Sequence, residues 1–382
     1  MPQRRRDQTH MRTLKILHAA DLHLDSAFEG LSAGKASIRR AEQRELLEKI
    51  AQLSRSEKPD LVLLSGDLLD SDNTYYETGE ELLLHLHNID APVFISPGNH
   101  DYYSPRSVYA RLDFPENVHI FKENSISCVE LEELKARVFG AAFTDRRSRS
   151  LLEGFHAERR EGWFNVMSLH GEVGVRDSSY NPISLKQLEE SGMDYVALGH
   201  VHSGSGLKKV GSTWYSWPGC PEGRGFDETG EKSISIITLS EDGSCNLESR
   251  IISERRYEIM KVDISGADPL LAIHTQLPDD TVRDIYRIIL CGETELAPDL
   301  GRLERNLEEL FFHLQLKDET RLRRSVWEKA GEDTLRGLFL SGLLSRFDKA
   351  EDEESRLLIE QAARWGLAAL DNMEEVVVHE DK

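Results

Sequence analysis

The sequence has no long apolar run and no signal-peptide core. Its apolar runs fall well short of the ~20 consecutive residues that a membrane helix needs. The start, MPQRRRDQTHMRTLKIL, carries basic residues but no apolar stretch before the first predicted strand. We therefore expect no membrane association and a cytoplasmic location. Translation from either Met1 or Met11 is compatible with this sequence.

Cysteine is also scarce. The four cysteines lie far apart and form no C-x-x-C pair: Cys128, Cys220, Cys245 and Cys291. This spacing argues against a structural zinc site and against a disulfide framework. We expect reduced and mostly buried thiols.

Positive charge is in short supply, because 47 Lys and Arg residues stand against 68 Asp and Glu residues, a net charge of −21. A freestanding nucleic-acid binder needs clustered cations to neutralise phosphates, so this balance has the wrong sign for one. Bound divalent metals or a basic partner subunit would compensate locally. Small basic clusters occur at Arg146, Arg147 and Arg149 and at Arg159 and Arg160. Each cluster taken alone is typical of solvated surface charge.

What is present is the composition of an ordinary folded chain, with 39% hydrophobic and 30% charged residues. A length of 382 residues allows two or three domains. From Leu14 to about Ile252, short apolar runs such as LKILHAA, DLVLLSG and APVFIS alternate with helical stretches such as EELLLHLHNI. Continuous apolar strands separated by helices predict a layered α/β core with both faces of each sheet covered. The last run, SISIITLSEDGSCNLESRII, predicts a hairpin that turns at Asp242 and Gly243.

The pattern changes near Glu254. The segments YEIMKVDIS, DPLLAIHTQL, TVRDIYRIILCG, DLGRLERNLEEL and FFHLQLKD predict strand, helix, strand, helix and strand. Beyond Arg321 the pattern is helical, with two apolar stripes: Leu335, Leu338, Phe339, Leu343 and Phe347, then Leu357, Leu358, Ala362, Trp365 and Leu370. We therefore predict a core domain at 11–255, a small α/β cap at 256–320 and a helical C-terminal region at 321–382.

Five short polar stretches stand at the carboxyl ends of predicted strands. They are ADLHLD with Asp21 and His23, SGDLLD with Asp67 and Asp70, PGNHD with Asn99, His100 and Asp101, LHGE with His170, and GHVH with His200 and His202. Sites in open α/β sheets form at these strand ends, so all five can meet at one edge. Each stretch alone has an ordinary explanation as a turn or a core histidine. Their repeated placement indicates a functional site.

The residue types of these stretches indicate metal chemistry. Asp, Asn and His offer hard or borderline donors, which suit manganese, iron or zinc better than metals that prefer thiolates. The donors exceed what one ion can use. Two ions about 3.5–4 Å apart, bridged by a carboxylate, form the arrangement that favours in-line attack at phosphorus.

The order D-x-H, G-D, G-N-H-D, H and G-H-x-H resembles that of the calcineurin-like metallophosphoesterases. Within that superfamily, ILHAADLHLD, SGDLLD and GHVH followed by WPGCPEG are similar to the SbcD-type DNA repair exonuclease subunits, especially the YhaO-type bacterial branch. The resemblance covers the first predicted domain. It implies an α/β fold, a β-sandwich flanked by helices, which the cap and the helical C-terminus would extend.

The resemblance implies a role for each motif residue. The first of two divalent metals would be held by Asp21, His23 and His202, and the second by Asn99, His170 and His200, with Asp67 between them. His100 would face the phosphate and protonate the leaving oxygen. Asp70 matches the position whose side chain orients that histidine, although some relatives carry His there. Manganese is the expected metal, with iron or zinc as alternatives.

Four further residues each have a functional and a structural explanation. Tyr102 and Tyr103 could stack on a nucleotide or pack under a neighbouring domain. Arg224 could reach a phosphate or lie in an ordinary exposed loop. For Asp101 we expect capping of the turn after the strand rather than catalysis.

Three functions fit these residues. The first is a manganese-dependent DNA exonuclease for end processing and repair, which would bind DNA and dock its C-terminal helices on an SbcC-like coiled-coil ATPase. The second is a cyclic-nucleotide phosphodiesterase or phosphoprotein phosphatase on the same scaffold, which the extra chain after Glu254 disfavours. The third is a noncatalytic subunit that bridges DNA ends, which the intact ligands and His100 disfavour. The family also suggests a homodimer, and the sequence leaves cleavage polarity and the exonuclease and endonuclease balance open.

Overall fold

A computed structural model describes residues 11–71 and 74–370. The chain divides into two compact units, Met1–Arg256 and Tyr257–Lys382. The alternative start at Met1 and residues 371–382 of the predicted helical region lie outside the described residues. The three-part division predicted above stays a prediction.

The first unit alternates strands and helices in its first half and is richer in strand in its second. Its strands are β1 (Thr13–Ala19), β2 (Leu61–Leu64), β3 (Val93–Ile95), β4 (Val118–Ile120), β5 (Ser127–Leu131), β6 (Ala136–Gly140), β7 (Phe164–His170), β8 (Glu172–Val173), β9 (Pro182–Ile183), β10 (Tyr195–Gly199), β11 (Lys208–Val210), β12 (Thr213–Ser216), β13 (Ser233–Ser240) and β14 (Cys245–Ile251). Its helices are α1 (Ala33–Glu57), α2 (Tyr76–His87), α3 (Val108–Arg111) and α4 (Leu185–Glu190).

Two six-stranded sheets form this unit. The first has the order β14-β13-β1-β2-β3-β4, and the second has the order β11-β12-β10-β7-β6-β5. Strands β1, β2, β3 and β4 run parallel, and so do β6, β7, β10 and β12. The predicted hairpin is confirmed, because β13 pairs antiparallel with β14. Parallel strands place their carboxyl ends at one edge, where a site can form.

The sheets pack face to face in four layers with the helices outside. Between the sheets, side chains such as Ile16, Leu63 and Phe94 meet Val166 and Tyr195 from the other sheet. A second cluster packs the outer face of the first sheet against α1 and α2, and a third covers the outer face of the second sheet with α4. The predicted layered α/β sandwich is therefore confirmed. Strands covered on both faces explain why LVLL, residues 61–64, is apolar and buried throughout.

A buried ionic network ties α1 to the connection before β13. The fully buried Arg39 donates to Glu42 and Glu222, each at 2.6 Å. Glu222 also accepts from the backbone amides of Glu254 and Arg255, at 2.7 and 3.3 Å. The network therefore fixes the end of the first unit.

Arg39→Met should lower the free energy of unfolding by roughly 3–5 kcal/mol, because it leaves Glu222 buried without its cation. Urea denaturation followed by circular dichroism measures this loss. The matched control is Arg40→Met, since Arg40 is half-buried and donates only a long bond, 3.4 Å, to the carbonyl of Ala27. Equal stability of the two variants would contradict a structural role for the network.

The second unit begins with the predicted strand, helix, strand, helix and strand. Its strands are β15 (Tyr257–Asp263), β16 (Ile285–Cys291), β17 (Glu293–Thr294), β18 (His313–Asp318) and β19 (Arg321–Leu322). Its helices are α5 (Pro269–His274), α6 (Leu300–Leu307), α7 (Arg324–Glu328), α8 (Leu335–Phe347) and α9 (Glu353–Leu370), with short 3₁₀ turns at Glu308–Leu310 and Lys329–Gly331. The sheet β15-β16-β18 is parallel and has its own core with α5 and α6.

Helices α8 and α9 pack through a face that differs in part from the predicted stripes. Leu340, Ala363 and Leu367 are buried in their common core. Leu335 and Leu338 belong to the predicted stripe but are 69% and 73% exposed. Phe339, Leu343 and Phe347 of the same predicted stripe pack against this core, and Phe339 lies so close to Gly366 that a Cβ atom there would clash. Apolar side chains on both helices therefore remain exposed: Leu335, Leu338, Leu357, Leu358 and Trp365.

Two expectations from the composition concern membrane helices and cysteines. Across the described ranges, no helix is long and apolar enough to span a membrane. All four cysteines are free thiols, as expected, but only Cys220 is buried and Cys128 is exposed. Cys128 lies on β5, an edge strand of the second sheet, where one face of the strand meets solvent.

Candidate metal centre

The five polar stretches meet at one edge of the sandwich. Each follows or ends a parallel strand: Asp21 and His23 after β1, Asp67 after β2, Asn99 and His100 after β3, His170 at the end of β7, and His200 and His202 after β10. Three groups of these side chains bring their ligand atoms within 4.8 Å of one another: Asp21 with His23 and His202, His23 with Asp67 and His100, and Asp67 with His170 and His200.

The backbone at this edge adopts conformations that most residues avoid. Asp21, His23, Asp67 and His200 have positive φ angles of 55°, 46°, 50° and 97°. Non-glycine residues in this region are uncommon and cluster where function requires an unusual chain direction. Hydrogen bonds hold the strained turns, with the amide of Asp21 donating to Gly66 at 3.0 Å and that of His23 to the carbonyl of Asp67 at 2.9 Å.

Two glycines allow the strand ends to approach closely. A Cβ atom on Gly98 would overlap the carboxylate of Asp67, and one on Gly199 would overlap the carbonyl of Ser65. No side chain fits at either position without displacing its neighbour. The glycines before Asn99 and His200 therefore set how near these loops come to Asp67.

The first half of the site contains Asp21, His23 and His202. Asp21 and His23 are fully buried. The Nε2 atoms of His23 and His202 face each other at 3.1 Å, and Asp21 Oδ1 lies 4.0 Å from His202 Nε2. Both Asp21 oxygens accept from the amide of His200, at 2.9 and 3.1 Å.

The second half contains Asn99, His170 and His200, with Asp67 between the halves. Asp67 Oδ2 lies 3.2 Å from His170 Nε2 and 3.8 Å from His23 Nε2. Asn99 Oδ1 lies 3.0 Å from His170 Nε2 and 3.2 Å from His200 Nδ1. The structure thus brings together all seven predicted ligands in the two predicted groups.

A hydrogen-bond acceptor behind each of the four imidazoles orients the ring. His23 donates from Nδ1 to Asp70 at 3.0 Å, and His202 donates from Nδ1 to Glu228 at 2.6 Å. His200 donates from Nε2 to Glu172 at 3.0 Å, and His170 donates from Nδ1 to the Ser65 carbonyl at 2.9 Å. In each ring the other nitrogen points at the centre. Metal-binding histidines show this arrangement, because the outer hydrogen bond fixes the tautomer and the aim.

Burial and charge shift the pKa values of the inner groups. Burial raises the pKa of Asp21 to about 6 and lowers that of His23 to about 4. Burial would also lower the pKa of His170, but the carboxylates of Asp67 and Asp21 outweigh it and raise that pKa to about 9. Burial opposes ionisation of Asp67, yet His170 holds the pKa of that carboxyl well below its usual range. The site therefore favours a positive charge between its carboxylates.

The donor set fits divalent cations. If the outer nitrogens donate and the rings carry no second proton, His23 and His202 point lone pairs at each other across 3.1 Å, and His200 points one at the Asn99 oxygen across 3.2 Å. Acceptors facing acceptors at these distances are unfavourable unless a positive charge lies between them. Carboxylate, amide and imidazole ligands suit manganese, iron and zinc.

His100 lies at the open side of the site, and its contact with Asp70 differs from the expectation. Its side chain is 43% exposed, whereas that of His23 is fully buried. Its Nδ1 donates to the backbone carbonyl of Asp70 at 3.1 Å, while the Asp70 carboxylate is 3.9 Å away. The Asp70 carboxylate instead accepts a hydrogen bond from His23 Nδ1 at 3.0 Å. The backbone of Asp70 orients His100, and its side chain orients a predicted ligand.

The remaining candidates take different positions. Arg224 lies in the site, donating to Asp70 at 3.2 Å and to Glu228 at 2.9 Å. Tyr103 packs partly buried against the cluster on the outer face of the first sheet, and Tyr102 is half-buried. Asp101 accepts from the amide of Gly98 at 2.8 Å and from those of residues 67–69, which confirms its structural role in the turn.

Sequence reasoning missed three residues at the site. Glu172 and Glu228 bond His200 and His202, and the Tyr180 ring lies 4.9 Å from the His200 ring at an angle of 31°. Glu172 stands two residues after His170 in LHGE, and Glu228 stands in PEGRGFDETGEK. A search for a second acceptor for each predicted histidine would have found Glu172. Glu228 lies 26 residues after His202, and only the fold brings it near.

Comparisons with known proteins agree with this geometry. The chain is 28% identical over 373 residues to the uncharacterized metallophosphoesterase YhaO of Bacillus subtilis (strain 168), covering 88% of each chain. It is 24% identical to the SbcD subunit of the nuclease SbcCD from the same organism, covering 59% of this chain and 66% of that protein. It is 25% identical to the DNA double-strand break repair protein Mre11 of Aeropyrum pernix, covering 65% and 64%. The sequence profile described as calcineurin-like phosphoesterase matches residues 14–204, which is half of the chain, so this protein belongs to the calcineurin-like phosphoesterase family.

Proposed function

We propose that the site holds two divalent cations. Asp21, His23 and His202 would hold the first and Asn99, His170 and His200 the second, with Asp67 shared. The observation that carries this proposal is the orientation of the imidazoles: each has one nitrogen bonded outward and the other aimed at the centre. Manganese is the proposed metal, with iron and zinc as alternatives that the same donors accept.

The proposed reaction is hydrolysis of a phosphodiester. Two bound cations would supply charge neutralisation for the phosphate and an activated water. Asp67 and Asn99 would fix the spacing of the two halves. His100, exposed at the open side, would donate a proton to the leaving oxygen, and the Asp70 carbonyl holds its Nδ1 so that Nε2 is free for that task.

The proposed substrate is DNA, and the proposed role is that of an exonuclease in end processing and repair. The names of two relatives support this, since one is a nuclease subunit and the other a DNA double-strand break repair protein. Their matches span only 66% and 64% of those proteins, so their activities and partners enter here as proposals. The net charge of −21 requires local compensation, which bound cations and a partner would provide.

The proposed partner is a coiled-coil ATPase like SbcC, docked on the C-terminal helices. Leu335 and Leu338 on α8 and Leu358 on α9 are 69%, 73% and 64% exposed, which leaves apolar surface for a helical partner. The region 256–320 would act as the cap that helps present a DNA end.

A four-substrate assay with Mn²⁺ tests this function. Linear duplex DNA, single-stranded DNA, cyclic AMP and a phosphopeptide are offered in parallel to the purified chain, alone and after co-expression with a coiled-coil ATPase encoded by the same genome. DNA degradation is the expected result. Rapid hydrolysis of cyclic AMP or the phosphopeptide without DNA degradation would overturn it, and DNA binding without hydrolysis of any substrate would favour a noncatalytic bridging role.

Glu228→Gln and Glu172→Gln should each weaken one of two metal-binding steps by roughly 10–100-fold, because each removes the carboxylate behind a different histidine. Titration with Mn²⁺, with free ion followed by electron paramagnetic resonance, measures both steps. Glu231→Gln is the matched control, since Glu231 is exposed on the same connection as Glu228. The variant that combines Glu172→Gln and Glu228→Gln should weaken both steps. If this variant and the two single variants all weakened the same single step, the assignment of the two glutamates to separate halves would be wrong.

A further inference from the structure

The loop between β6 and β7 carries three exposed arginines without an ion pair to a described residue, Arg146, Arg147 and Arg149, and two of them line one pocket. Arg147 and Arg149 are exposed, and within the part of the chain that the structure describes neither has an acidic partner within 4.0 Å. The other basic cluster predicted from the sequence differs, because Arg159 lies 3.1 Å from Asp194 and Arg160 lies 3.6 Å from Glu130. Arginines without a neighbouring carboxylate give this surface a locally positive potential in an acidic chain.

These arginines line a surface pocket of about 590 Å³. The other lining residues are mostly polar and include Asn124, Ser125, Ser148 and Ser150, with Glu153 as its acidic residue. Side-chain amides and hydroxyls, together with two guanidinium groups, are the groups that contact phosphate oxygens and sugars in nucleic-acid complexes. The pocket therefore has the chemistry of a phosphodiester backbone site.

Hydrogen bonds connect the loop at the pocket to the metal centre. Ser148 is buried, and its amide donates to the Ser179 carbonyl at 2.9 Å while its carbonyl accepts from Asn181 at 3.0 Å. Asn181 in turn donates from Nδ2 to the carbonyl of His170 at 2.9 Å. These hydrogen bonds connect the loop that carries the arginines, through Asn181, to the half of the site that contains His170.

Tyr180 lies between the pocket and the site. One face of its ring lies against His200, and the residue is 37% exposed. An aromatic ring that is partly open at the edge of a phosphodiester site can stack on a nucleobase. Tyr180 thus contacts a predicted metal ligand with its ring and pairs through its backbone with Ser148, in the loop that carries the arginines.

We infer that this pocket binds the sugar-phosphate backbone of a nucleic-acid strand next to the scissile bond, through Arg147 and Arg149, with Tyr180 against a base. The inference rests on the proposed nuclease function and adds to it the path of the strand. Binding here would also explain how a chain of net charge −21 retains a polyanion.

Arg147→Gln combined with Arg149→Gln tests the inference. Binding of a fluorescent single-stranded oligonucleotide to the His100→Ala protein is measured by anisotropy at several salt concentrations. The arginine changes should weaken binding roughly tenfold and lower the slope of log affinity against log salt by about 1.4, or about 0.7 for each lost phosphate contact. Arg146→Gln is the matched control, because Arg146 is an exposed neighbour that does not line the pocket.

A small substrate separates failure of this inference from failure of the proposed function. Hydrolysis of bis(p-nitrophenyl) phosphate by the double arginine variant, with His100 intact, should equal that of the unmodified chain, because this ester lacks the flanking nucleotides that the pocket would bind. Unchanged oligonucleotide affinity and salt slope would overturn the inference, and so would an equal loss in Arg146→Gln or a loss of small-ester hydrolysis. Absence of DNA hydrolysis by the unmodified chain would overturn the nuclease proposal, while arginine-dependent oligonucleotide binding would still support the pocket.

Discussion

His100→Ala should abolish phosphodiester cleavage, lowering kcat by roughly 10²–10⁴-fold, while about two metal ions stay bound. The reason lies in the position of the side chain. His100 is 43% exposed at the open side, and its Nδ1 is occupied by the carbonyl of Asp70, so it can reach a leaving oxygen without holding the centre together. Turnover of linear DNA and the metal content after dialysis measure the two effects.

His100→Asn is the companion variant for this prediction. Asparagine can still donate a hydrogen bond but cannot supply a proton, so it should leave substrate binding near normal and kcat low. Near-normal turnover in His100→Ala would show that the assigned role is wrong. Loss of metal in that variant would instead place His100 among the ligands, as its closeness to His23 and Asp67 allows.

Most of the fold could be predicted because buried positions carry apolar residues, so the pattern of apolar residues in the sequence shows which positions are buried. Strands β1, β2 and β3 are apolar without alternation since both faces are covered, and that signal is visible in LKILHAA, DLVLLSG and APVFIS. The packed face of α8 was partly mispredicted. Leu335 and Leu338 fit the same helical stripe as Phe339, Leu343 and Phe347, but only the last three pack against the core, where Phe339 closely approaches Gly366.

The inner residues of the site were predictable and the outer ones were not. Asp67 and His170 follow strands at fixed short distances, so the local pattern exposes them. Glu228 bonds His202 only because the connection between β12 and β13 folds back, and the sequence spacing of the two residues does not indicate this contact. Asp70 shows a related difficulty, because its carboxylate bonds His23 while its backbone carbonyl bonds His100. A sequence motif identifies a residue without showing which of its atoms makes the contact.

Asp67→Ala should remove both metal ions and all hydrolysis, the largest effect of any single change at the site. Asp67 is 1% exposed and lies between the halves, with Oδ2 at 3.2 Å from His170 and 3.8 Å from His23. Its Oδ1 also accepts from the amide of His100 at 2.9 Å, so the same carboxylate positions the proposed acid. Asn99→Ala is the comparison, because Asn99 contacts only the second half and should weaken a single binding step. Elemental analysis after reconstitution with Mn²⁺ distinguishes the two variants: retention of one ion by a folded Asp67→Ala protein would mean that the halves bind independently and that Asp67 does not bridge them.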